Sequence, residues 1–163
     1  MVDVGPAARY FEDFAPGDVF TTQGRTIGEA DLTFWTMYTG DMNPMHVDDV
    51  YAKEHGLFGG RFPAGLMIVA IAAGLQERLG LFAGTGLAIT GQTIAYHEAV
   101  LLGDTVRQRL TVHECVPSRS RPAGRVLFGY EILRQDGVVC VSGTVGFFVR
   151  SKGAPGTTAG GDR

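Results

Sequence analysis

The sequence has no excess of basic charge, no long apolar run and no cysteine framework, and each absence closes a class of function. Fourteen Lys and Arg against seventeen Asp and Glu leave a net charge of −3. With a pI of about 5.7, no basic surface announces nucleic-acid binding. The best apolar run, Leu66 to Leu75, is about half of the ~18–20 residues that span a bilayer, so no membrane helix is expected. The start, Met-Val-Asp-Val-Gly-Pro, lacks a basic segment followed by an apolar one, and no signal peptide is expected. Cys115 and Cys140 have no C-x-x-C spacing and are too few for a disulfide scaffold. A reduced, cytoplasmic setting is the expectation.

Motifs of common chemistries are missing as well. There is no G-x-S-x-G, and the only serines, Ser118, Ser120, Ser142 and Ser151, all come late. Gly84-x-Gly86 is followed by Ile89 where a dinucleotide fingerprint needs its third glycine. Cys115 and Cys140 fall in expected strands, where a buried cysteine acts as a small hydrophobe.

What remains is enough for one folded domain. The chain has 163 residues, 45% hydrophobic and 19% charged, within reach of the ~100–150 residues of a typical domain. Glycine is abundant, at 24 residues, about twice the usual ~7%. Residues 1–10 are expected as a flexible start, 11–150 as the domain, and 151–163, small and polar, as a disordered tail.

An extended run from Val19 to Ile27 comes after the turn at Pro16-Gly17-Asp18. A helix is expected to start near Thr26, because Glu29 stands three positions on at capping-box spacing. Leu32, Trp35 and Tyr38 or Thr39 share its apolar face, and Gly40 ends it. Pro44 prevents a smooth continuation, a short polar helix is expected over His46 to His55, and residues 58–62 read as a loop. Pro63 opens a helix over Ala64 to Leu79, apolar on every face for three turns and hence expected to be buried all round, with Gln76, Glu77 and Arg78 in water. Alternation then predicts strands over Leu87–Ala99, Thr105–Val116, Arg125–Arg134 and Val138–Val149. Val106, Leu110 and Val112 form one inward face; Val126, Phe128, Tyr130 and Ile132 form another. Asp136-Gly137 suits a type I′ turn, and Leu102-Gly103-Asp104 a second reversal. The expected class is α+β, an antiparallel sheet wrapped around one long apolar helix.

Polar density peaks at Gly40-Asp41-Met42-Asn43-Pro44-Met45-His46. The proline bend lets Asp41 and His46 face one cavity, where a shared water would make them a general acid/base pair. Asn43 would orient the loop or a ligand. The plainer alternative is a polar turn in which Asp41 caps the helix begun by Pro44. A metal held by His46, Asp48, Asp49 and His55 is a rival, but the spacing matches no zinc pattern. At Pro63-Ala64-Gly65 the unpaired N–H groups and the positive dipole end suit a carbonyl oxygen gaining charge. A glycine there serves either the approach of a ligand or close packing of helix on sheet. His97 and His113 read as ordinary strand residues. The arginines of the loop 117–125 read as a solvated hairpin tip, with phosphate contact as the alternative.

The G-D-x-N-P-x-H run, Phe58-Gly59-Gly60-Arg61, Gly65-Leu66 opening an apolar helix, and Leu102-Gly103-Asp104-Thr105-Val106 together resemble the MaoC-like, (R)-specific enoyl-CoA hydratase family of the hot-dog fold. The similarity runs from about Phe11 to Val149. It implies a homodimer with sites near the subunit interface and reversible hydration of a trans-2-enoyl thioester of CoA, or less commonly of an acyl carrier protein. It implies Asp41 and His46 as the catalytic pair, Asn43, Ala64 and Gly65 as substrate-binding, and the Gly65 N–H as donor to the thioester oxygen. No metal and no cofactor beyond the substrate's CoA are implied. One position departs: Ala64 stands where the family usually has His. The segment Tyr96-His97-Glu98-Ala99 is also more polar than the family leads one to expect, which would suit a polar acyl group. The alternatives are a hot-dog thioesterase, which often carries a carboxylate on the central helix where this one stays apolar until Glu77, and a non-catalytic acyl-binding protein.

Overall fold

The computed structural model describes residues 8–153; the expectations for residues 1–7 and 154–163 lie outside them. A 3-10 turn (Phe11–Asp13) leads into β1 (Val19–Thr21) and β2 (Arg25–Thr26). Then come α1 (Glu29–Thr39), α2 (Pro44–Val47), α3 (Asp49–His55) and α4 (Gly65–Glu77). Five strands finish the domain: β3 (Gly86–Gln92), β4 (Ala95–Tyr96), β5 (Thr105–Pro117), β6 (Ala123–Arg134) and β7 (Val139–Arg150). The order is β1-β5-β6-β7-β3, with β2 also on β5 and β4 also on β7, and every pairing is antiparallel.

The inward faces read from alternation are the core. Val106, Leu110, Val112, Val126, Phe128, Tyr130 and Ile132 are all buried. Phe14, Phe82, Phe128 and Phe147 knit the sheet to the chain ends, with Phe82 stacked on Phe147 at 4.2 Å between centroids and Phe14 edge-on to Phe128 at 5.7 Å. Both edges of the described chain are tied down: Arg9 N–H donates to the Leu81 carbonyl and Ser151 N–H to that of Pro122, while Lys152 joins them to each other by pairing with Asp13.

Four local expectations are corrected. Helix α1 begins at Glu29, not near Thr26, because Gly28 is its N-cap and the Asp31 carboxylate reaches back to the Gly28 N–H at 3.0 Å; Thr26 is taken by the ladder to Thr105. Its buried residues are Leu32 and Thr36, while Tyr38 is exposed. The run 87–99 is two strands, since the chain turns inward at Thr93, whose carbonyl would lie 2.0 Å from a Cβ on Gly143 and accepts the Tyr130 hydroxyl. The β6–β7 reversal takes the four residues 135–138, with Gly137 left-handed (φ +85°) and its N–H on the Arg134 carbonyl, rather than a two-residue type I′ turn.

Helix α4 lies against the concave face of the sheet through Met67, Ile68 and Ala72. It is not buried all round. The sheet curls over one side only, so Leu66 is 57% exposed and Ala70, Ala73 and Gly74 face outward too, while Gln76 turns inward.

Candidate active site

Two breaks in the chain build the site. Gly40 ends α1 in the left-handed conformation (φ 75°), its N–H on the Thr36 carbonyl, and releases Asp41 into a turn. Asn43 then caps α2: its side-chain oxygen accepts the Met45 N–H at 3.0 Å, and Pro44 occupies the first helical position. The cap is therefore Asn43, and Asp41 is left free of that duty, which corrects the polar-turn alternative. Asp48 ends this helix and caps α3, accepting from the Tyr51 N–H.

Asp41 and His46 face each other across a gap. His46 Nε2 is 3.8 Å from Asp41 Oδ2, too far for a direct hydrogen bond and suited to a bridging water. The other ring nitrogen, Nδ1, is 2.7 Å from the Phe62 carbonyl oxygen. A carbonyl only accepts, so Nδ1 carries a proton, and Nε2 is the ring nitrogen turned toward Asp41. Asp41 Oδ2 also accepts from the Trp35 indole N–H at 3.4 Å, and Oδ1 from the Asn43 N–H at 3.4 Å. His46 is 8% exposed and lies edge-on to Phe62, which is in turn edge-on to Phe58.

The loop 58–62 is held by Arg61, whose guanidinium reaches both Glu29 oxygens at 3.1 Å on α1 and lies 3.8 Å from Asp49 on α3. This loop delivers the start of α4 to the site. Ala64 is its N-cap, and the N–H groups of Gly65 and Leu66 find no partner among the described residues. Beside them opens a cavity of about 590 Å³. All five residues singled out from sequence, Asp41, Asn43, His46, Ala64 and Gly65, border it.

Trp35, Phe62 and Tyr96 also line the cavity, and sequence reasoning misses all three as site residues. In the sequence Trp35 is one member of a buried helix face, with no partner indicated; Tyr96 carries the one usable signal, the unusual polarity of its segment. The Tyr96 ring explains Gly65: a Cβ there would lie 2.5 Å from Cε1 of the ring. The missing side chain thus makes room for close packing of strand on helix, while the N–H stays directed at the end of the helix.

The other candidates lie apart. His55 packs on Tyr51, Asp49 pairs with Lys53, and no group of three or more potential metal ligands gathers among the described residues. His97 bonds Ser142 at 2.8 Å, and the His113 ring covers Gly129 on the outer face. Arg125 pairs with Glu114, and no arginine of the loop 117–125 lines the cavity. Burial pushes both thiols, Cys115 and Cys140, above the usual range. Among the described residues no helix is long and apolar enough to cross a membrane.

Residues 13–128 match the MaoC like domain. The chain belongs to that family. The 3-hydroxybutyryl-CoA dehydratase of Methylorubrum extorquens is 33% identical over 113 residues, 69% of each chain. The (R)-specific enoyl-CoA hydratase of Rhodospirillum rubrum is 32% identical over 111 residues, covering 68% of this chain and 74% of that one. Protein MaoC of Klebsiella aerogenes is 32% identical over 123 residues, but the match covers only 35% of its length. Among solved structures, the MaoC-like dehydratase from Rhodospirillum rubrum superposes with a TM-score of 0.80 at 27% identity, covering 89% of this chain and 99% of that one. A Mycobacterium tuberculosis protein described as a double hot-dog fold gives 0.77 at 17% identity, covering 95% of this chain and 48% of that one. The fold of this MaoC-like chain is the hot-dog.

Proposed function

We propose that this chain catalyses the reversible hydration of a trans-2-enoyl-CoA to the (R)-3-hydroxyacyl-CoA. The observation that carries the reading is the 3.8 Å gap between His46 Nε2 and Asp41 Oδ2, set in a cavity whose wall includes the open N-terminal turn of α4. The gap holds the water. One member of the pair takes a proton as the water oxygen bonds to the β-carbon; the electrons move to the thioester oxygen, which the Gly65 N–H and the helix dipole hold. The pair then gives a proton to the α-carbon, so water has added across the double bond and the pair ends as it began. The names of the relatives from Methylorubrum extorquens and Rhodospirillum rubrum support this class of reaction and CoA as the carrier. The working form in this reading is a homodimer.

Purified protein incubated with crotonyl-CoA and a panel of longer and branched enoyl-CoAs tests the reading through loss of the enoyl absorbance. Turnover with at least one member is expected. No turnover across the panel overturns it, and release of free CoA thiol from saturated acyl-CoA places the activity with the thioesterases instead.

A further inference from the structure

A second chamber of about 270 Å³ lies beside the active-site cavity. Three residues border both: Phe62, Gly65 and Tyr96. Phe62 is pinned, because its carbonyl holds His46 and its ring packs on His46 and Phe58. Gly65 has no side chain. Phe62 and Tyr96 therefore stand between the two spaces, and the ring of Tyr96 is the part of the partition free to move.

That ring is held lightly. Tyr96 ends a two-residue strand, is 53% exposed, and its hydroxyl has no hydrogen-bond partner among the described residues. Its one close neighbour on the helix side is the bare backbone of Gly65. The contrast is Trp35, which separates the site from a cavity of about 580 Å³ between α1 and α4; its indole is tied to the Asp41 carboxylate, so moving it would disturb the pair itself.

Behind Tyr96 the walls are Phe58, Ile68, Ala99, Val100 and Val141, with His97 and Glu98 the only other polar side chains, and His97 is taken up by Ser142. Most of this wall is apolar, so the chamber suits hydrocarbon rather than the polar acyl group that the composition of residues 96–99 led one to expect. We propose that Tyr96 sets the chain length this enzyme accepts: its ring closes an acyl subsite, so the native protein handles short acyl chains, and removing the ring admits a longer tail into the chamber. This rests on the acyl-thioester reading of the site and names its substrate class.

The test is calorimetric binding of butyryl-, hexanoyl- and octanoyl-CoA to the full chain, alongside crotonyl-CoA turnover. Saturated chains report the subsite without chemistry. For the wild type, affinity is expected to stay flat or fall from butyryl to octanoyl. For Tyr96→Ala it should rise about fourfold for each methylene that reaches the chamber, and by at least tenfold in all for octanoyl over butyryl. Tyr96→Phe keeps the ring and should keep the flat response. Adding Ala99→Phe to Tyr96→Ala refills the chamber and should abolish the gain. Tyr96→Leu, which retains packing against Gly65, should show a smaller gain and guards against a misfolded alanine variant.

A flat response in both Tyr96→Ala and Tyr96→Leu overturns the proposal, as does a wild type that already gains with length. So does a gain in Tyr96→Phe, or one that survives Ala99→Phe. Crotonyl-CoA turnover with any of these results removes only the chain-length role. Failure of every acyl-CoA to bind or turn over removes the hydratase reading with it.

Discussion

His46 is oriented by one hydrogen bond to a backbone carbonyl, and Asp41 by donors from Trp35 and Asn43, so each side chain can lose its chemistry without losing its place. Asp41→Asn and His46→Gln are close in shape and should leave a folded protein. In the proposed reaction each should lower kcat by about a hundred- to ten-thousand-fold, the usual worth of one positioned acid or base. Near-normal turnover in either, with an unchanged circular dichroism spectrum, removes that residue from the mechanism. Both residues were legible in the sequence because proline bends the chain between them and nothing else competes for so dense a polar stretch. Trp35 and Phe62 were not. Trp35 reads locally as a core aromatic of α1, and only the turn after Gly40 sets Asp41 against its indole; Phe62 reads as a loop residue, and the return of the loop 58–62 brings it to His46, 16 positions away in sequence. Such closure depends on Arg61 meeting Glu29 and Asp49, which a linear reading takes for a loop residue, a capping-box partner and a rival metal ligand.

At the level of elements, the long strands were readable because each presents one face to the core, and alternation is enough to find that face. The short elements were not, because their limits are set by partners. Thr26 has the look of a helix cap but belongs to the ladder with β5; β3 and β4 part where Gly143 lets the Thr93 carbonyl in. The start of α4 shows the same dependence and can be tested. A Cβ on Gly65 would lie 2.5 Å from the Tyr96 ring, so the ring or the helix must move. Because that ring is lightly held and can swing aside, Gly65→Ala is expected to cost about 1 kcal/mol, the low end of overpacking, read as a lower denaturant midpoint. Tyr96→Ala in the same chain should recover most of that loss, because the two sites share one clash and their effects should not add. Additive losses, or a Gly65→Ala protein as stable as the wild type, would mean that the glycine answers to the ligand alone and not to the ring.

The whole molecule leaves apolar surface that one chain does not cover. All seven residues of β3 are exposed at the open edge of the sheet, with Ile89 61% and Leu87 41% accessible. On α4 Leu66, Ala70, Ala73 and Gly74 form an outward stripe that the sheet fails to reach. An unpaired edge strand is a template for another strand, and a helix this apolar all round calls for cover on its second side. Leu66 also lines the active-site cavity, so whatever covers the helix shapes the site. A second copy of the chain, pairing through this edge and stripe, meets both needs, and light scattering should then give twice the 17.4 kDa of one chain. Ile89→Lys places a charge on the edge and should shift the mass toward the single-chain value. If the cavity is completed by the second copy, the same variant should lose enoyl-CoA turnover in step with its loss of dimer as protein concentration falls. A wild type that runs at 17.4 kDa at all concentrations and still turns over substrate would show that the exposed edge and the site are independent.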